Sequence, residues 1–70
     1  MDIVINRRLR ELRKEKKETQ VQVAAAIEVT EQYYQKLEYG TNFPGIENIW
    51  KLADHFNVTI DYLVGRTDAR

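Results

Sequence analysis

The 70-residue sequence has no cysteine, which excludes disulfides and thiolate-held metal centres. It has no serine and a single histidine, His55. Zinc needs several ligands, and no glycine-rich phosphate loop or metal-spaced cluster of side chains is present. An enzyme is not expected: no catalytic residue, metal or cofactor site is assigned, and His55 reads as structural or solvent-facing. No apolar run approaches the roughly 18 residues of a membrane span. The opening MDIVINRR is no signal peptide, because its apolar part is short and its basic residues follow that part. A cytoplasmic protein without a membrane partner is the expectation. Internal repeats, low-complexity stretches and strand-like alternation are missing too.

Net charge is also absent: eleven Lys and Arg balance eleven Asp and Glu. A general coater of nucleic acid would be basic. The charges are unevenly placed, however. Arg7, Arg8, Arg10, Arg13, Lys14, Lys16 and Lys17 face only Glu11 and Glu15 across residues 7–17. This segment reads either as a local basic patch or as a solvated helix face laced with i,i+4 pairs. Seventy residues make one domain, 1–70, since two cores would not fit. Its core is expected over 3–65, with 66–70 a frayed polar tail.

Residues 19–40, TQVQVAAAIEVTEQYYQKLEYG, organise the rest. Thr19 opens a capping box, with its hydroxyl on the Gln22 amide and the Gln22 side chain reaching back. Val23, Ala24 and Ile27 form one apolar helical face. A turn at Ile27-Glu28-Val29 follows. Thr30 caps the next helix, and Gly40 ends it where positive φ is needed. At about 100° per residue, Tyr34 and Leu37 share one side of that helix, with Glu38 beside them. Gln32, Gln35, Lys36 and Tyr39 share the other. Glutamine can pair with adenine and lysine with guanine, so one face is anchored and the other suits a major groove.

These residues resemble the helix-turn-helix of phage repressor and Cro-like regulators, the Xre type. The likeness runs from about Asn6 to Gly65. It is carried by Leu12-Arg13, Thr19-Gln20, Val23-Ala24, Val29-Thr30, Leu37-Glu38, Gly40, Pro44, Ile46-Glu47, Leu52-Ala53, Phe56-Asn57-Val58 and Asp61-Tyr62-Leu63. It implies an all-α, compact five-helix bundle of the lambda-repressor-like DNA-binding type. The implied activity is sequence-specific binding to double-stranded DNA by a transcriptional regulator, a repressor, of phage or mobile-element character. Carried over residue by residue, base reading falls on Gln20, Glu31, Gln32 and Lys36, with Gln35 added from the helix face. Thr19, Thr30, Tyr33, Tyr39, Thr41 and Asn42 fall at the DNA backbone. Arg13 pairs with Glu38, tying the first helix to the end of the third. A homodimer on a near-palindromic operator is implied, with self-contact at helix 5, where Tyr62 or Val64 would be exposed. The family usually has Gly-Leu at Lys17-Glu18 and Gly at Glu28. A non-Gly residue held left-handed there costs roughly 1–2 kcal/mol.

The remaining elements follow from spacing. Residues 3–16 read as helix 1, with Ile5, Leu9 and Leu12 inward and Arg8 and Arg10 off that face. Phe43 in the 41–45 loop is expected to cover the core. Residues 46–56 read as helix 4, with Ile46, Ile49, Trp50, Ala53 and Phe56 in the core. Thr59 caps helix 5, which Ile60, Leu63 and Tyr62 close and Gly65 ends. Tyr34 is read as core with its hydroxyl at the rim. A rival reading keeps this fold as a protein-interaction module, antitoxin- or antirepressor-like. Zero net charge, Glu31 and the aromatics Tyr33, Tyr39 and Phe43 favour it. With no second domain expected, any inducer acts through dimerisation, a regulatory protein partner or turnover.

Overall fold

A computed structural model describes residues 4–70. Its elements are α1 (Ile5–Glu15), α2 (Gln20–Ala26), α3 (Glu31–Tyr39), α4 (Ile46–Phe56) and α5 (Ile60–Val64). No strand occurs among the described residues. The caps are local and explain the boundaries. Thr19 and Gln22 form the reciprocal capping box at α2, and the hydroxyls of Thr30 and Thr59 accept the third amides of α3 and α5. Gly40, at φ 83°, closes α3 left-handed, and Asn57, at φ 56°, does the same for α4. The expected start of helix 1 at residue 3 lies outside the described residues. The helix itself begins at Ile5, with Val4 at the N-cap position and no side-chain cap.

Helix α1 is the spine, packing on α3 on one side and α5 on the other, while α2 packs on α3 and α4 on α5. Ile5, Leu9 and Leu12 meet Val23, Ala24, Ile27, Tyr34 and Leu37 together with Ile49, Leu52, Ala53, Phe56 and Leu63 in one core. The fold is small, with a radius of gyration of 10.8 Å.

Five expectations need correction. Ile46 is 70 % exposed and Trp50 62 %, so neither is core. The buried stripe of α4 is Ile49, Leu52, Ala53 and Phe56. Trp50 stands one residue, about 100°, round from Ile49, and Ile46 in the first turn is open to solvent. Phe43 is 55 % exposed and leaves the core to Pro44, which is buried. Arg8 is not on the solvated face. It is 6 % exposed, and its guanidinium donates to the carbonyls of Tyr62 and Thr67 and to Asp68. The tail is consequently tied down rather than frayed. Arg70 makes two bonds to Glu15 at 2.7 and 2.6 Å, and the Arg70 carbonyl accepts from the Thr59 amide at 3.2 Å. Both guanidiniums lie over the Tyr62 ring, 4.1 and 5.4 Å from its centre. That cover leaves Tyr62, expected as an exposed dimer residue, 7 % exposed, and Val64 is half-buried against the core.

Candidate nucleic-acid interface

The α2–turn–α3 unit is set by short-range backbone bonding. The Ile27 amide bonds to Val23, Glu28 to Ala25 and Val29 to Ala24, at 2.9–3.2 Å. Glu28 sits at φ 63° in the middle of this turn, and Lys17 at φ 58° in the turn before α2. Both positions are therefore left-handed without glycine, a strain of roughly 1–2 kcal/mol each. The Lys17 turn is braced from α4: the His55 Nε2 lies 2.8 Å from Glu18 Oε1, and Lys16 donates to the His55 carbonyl at 3.1 Å.

The inward face of α3 is Tyr34, Leu37 and Glu38, all buried. Glu38, 2 % exposed, receives Arg13 at two points, Nε to Oε2 at 2.7 Å and Nη2 to Oε1 at 3.1 Å. Arg13 also donates to the Glu18 carbonyl at 3.2 Å, and Gln20 Nε2 donates to Glu38 Oε1 at 3.2 Å. One carboxylate thus joins α1, the entry to α2, and α3. Burial disfavours its charge, but the bonds from Arg13 and Gln20, with the Tyr34 phenol beside them, outweigh burial and hold the Glu38 carboxyl below the ordinary range. The hydrogen bond to Glu38 raises the Arg13 guanidinium further. Tyr34 departs from expectation: it is fully buried, so its hydroxyl is not at the rim. Its phenol sits beside Glu38 without a well-formed bond, and burial, then that carboxylate, push its pKa up.

The outward face of α3 carries Gln32, Lys36 and Tyr39, all exposed, with Glu31 and Gln35 half-buried at its edges. Tyr33 is half-buried, and its hydroxyl accepts from Asn48 Nδ2 at 3.2 Å, which turns it toward α4. Thr19 and Thr30 use their hydroxyl oxygens as cap acceptors, leaving each hydroxyl proton to donate outward. Past α3 the chain curls back on its last turn. The Lys36 carbonyl accepts the amides of Gly40, Thr41 and Asn42 and the Thr41 hydroxyl. The Thr41 proton is therefore engaged within the protein, while Tyr39 and Asn42 remain exposed. Gln20 is half-buried: Glu38 takes one N–H of its amide and so orients the group.

The residues that sequence reasoning missed are supports. Glu18 and His55 brace the turn before α2, and the Tyr34 phenol lies against Glu38. The spacing of Glu18 and His55, 37 positions apart, carries no local signal. Chemically, this unit presents polar donors and acceptors on a helix whose rotation is fixed from behind by a buried ion pair.

A family model described as Helix-turn-helix matches residues 9–63. The cryptic phage CTXphi transcriptional repressor RstR of Vibrio cholerae serotype O1 is 40% identical over 62 residues, 89% of this chain and 55% of that protein. The chain thus spans about half the length of the curated relative it matches. Among solved structures, a transcriptional regulator from Listeria innocua superposes with a TM-score of 0.87 at 29% identity, covering 93% of this chain and 61% of that one. The N-terminal DNA binding domain of SinR from Bacillus subtilis superposes at 0.80, covering 86% of this chain and 88% of that one, and at 24% identity it speaks to the fold alone.

Proposed function

Since the chain belongs to the helix-turn-helix family, of the phage-repressor and Cro-like (Xre) type, we propose that it is a sequence-specific double-stranded DNA-binding regulator of transcription, acting as a cytoplasmic repressor. Helix α3 lies in the major groove. Gln32 and Lys36 read base edges, with Gln35, Glu31 and Gln20 at the margins of the same surface. Tyr39 and Asn42, with the free hydroxyl protons of Thr19 and Thr30, hold phosphates; such contacts set position, while base contacts set specificity.

The observation that carries this reading is the split of α3. Its inner face is locked by Arg13–Glu38, and its outer face offers exposed polar side chains with no hydrogen-bond partner among the described residues. The likeness to a phage repressor supports repression. One recognition helix reads few base pairs, so the protein acts as a homodimer on two half-sites about one helical turn apart.

Selection from a random duplex pool at two salt concentrations tests it. The expected product is a two-fold symmetric motif that persists at physiological salt. Enrichment of nothing, with binding that vanishes as salt rises, would leave only phosphate attraction.

A further inference from the structure

A homodimer needs a contact surface, and the α5 candidates offer little, since Tyr62 is 7 % exposed and Val64 is half-buried. Helix α4 offers more. Ile46 and Trp50 stand exposed one turn apart, with Glu47 and Lys51 beside them, and the four line a shallow groove of about 420 Å³. Tryptophan is among the residues most enriched at interface centres.

We infer that a second copy of this chain docks here, α4 antiparallel to α4, about a two-fold axis level with residues 48 and 49. This rests on the homodimer of the proposed function and names its surface. In an antiparallel two-fold pair each flank of a helix meets the same flank of its copy in reversed order. Ile46 then lies within one residue, about 1.5 Å, of the level of Trp50 of the second copy, and Glu47 within the same distance of Lys51 of the second copy. Every central contact is apolar against apolar or acid against base.

The register is specific. Centring the axis on Trp50 would bring exposed Asp54 against Ile46, whereas an axis at 48 and 49 leaves Asp54 outside the apolar pair. Glu47 and Lys51 already pair within one copy at 3.4 Å, with Glu47 82% exposed. An exposed pair of this kind adds little to folding, so both heads are free to be shared across the axis. Two large apolar side chains per copy fall short of the roughly 800 Å² per partner of a standard interface. The free dimer is therefore weak, and binding two adjacent half-sites reinforces it.

Analytical ultracentrifugation of the whole chain, without DNA and from micromolar to millimolar concentration, tests the surface. The parent is expected to self-associate. Glu47→Lys and Lys51→Glu, each alone, weaken association by about tenfold or more, and so does Trp50→Ala, with melting and far-UV circular dichroism unchanged. An equimolar mixture of the two charge variants recovers association, because each cross-axis contact is again between opposite charges. A folded parent that stays monomeric throughout, or a mixture no better than its components, overturns the proposal. These readouts involve no DNA, so they and the site selection fail independently.

Discussion

Helices α3 and α4 each bury one face and expose the other, but they are held by different means and show opposite chemistry outward. Helix α3 buries Tyr34 and Leu37, is held in addition by directional bonds from Arg13 and Gln20 to Glu38, and exposes Gln32 and Lys36. Helix α4 is fixed by Ile49, Leu52, Ala53 and Phe56 and exposes Ile46 and Trp50. Apolar burial supplies stability but tolerates small rotations. A two-point arginine–carboxylate pair contributes less net stability and sets orientation more sharply. The helix that the proposed function places in the major groove is the one held by the directional pair.

The largest expected effect comes from removing that pair's cation. Arg13→Ala leaves Glu38 buried and uncompensated, and denaturant unfolding at neutral pH should show a loss of about 3–5 kcal/mol. The pH dependence gives the sign. In the parent, Glu38 titrates below its ordinary value. Its contribution is therefore present at neutral pH and lost as the pH falls through that lowered value. In the variant, burial dominates and the carboxyl rises above its unfolded value, so acid relieves the cost. The gap between the two proteins should be widest near pH 7 and narrow toward about pH 4. A gap independent of pH would mean that Glu38 is not what Arg13 serves.

A smaller effect comes from the turn that aims α3. Glu28 is left-handed at φ 63°. Glu28→Gly should raise the unfolding free energy by about 1 kcal/mol, part of the strain relief being offset by the freer unfolded chain. Smallest of all is Trp50→Ala on α4. A core tryptophan would cost about 3–5 kcal/mol, whereas one that is 62 % exposed should leave stability within about 0.5 kcal/mol. A large loss there would erase the contrast between the helices.

What was legible in the sequence was local. The capping box at Thr19 and the caps at Thr30 and Thr59 depend on neighbours within a few residues, so spacing reveals them, and the strained Glu28 was legible because the family resemblance puts Gly at that position. The core face of α3 was legible because its period is clear, and Arg13–Glu38 because the family resemblance supplied the partner. What was not legible depends on distant chain. Arg8 binds carbonyls and an aspartate 54 to 60 positions away, which no side-chain pattern announces. Arg70 reaches Glu15 across 55 positions, turning an expected loose tail into a fastened one. Ile46 and Trp50 satisfy helical spacing loosely, and only the placement of α5 and α1 decides which side of α4 is covered. For the outward residues of α3, the sequence offered identities and the fold offered exposure.

On the proposed function, α3 reads bases through Gln32 and Lys36. The most direct test measures affinity for the selected duplex and for each single base-pair substitution of it, with the parent, Gln32→Ala and Lys36→Ala. Each variant is expected to lose about 1–3 kcal/mol and to become indifferent to one or two defined base pairs in each half-site, with discrimination elsewhere intact. Uniform weakening across all sequences, or no loss at all, would contradict it.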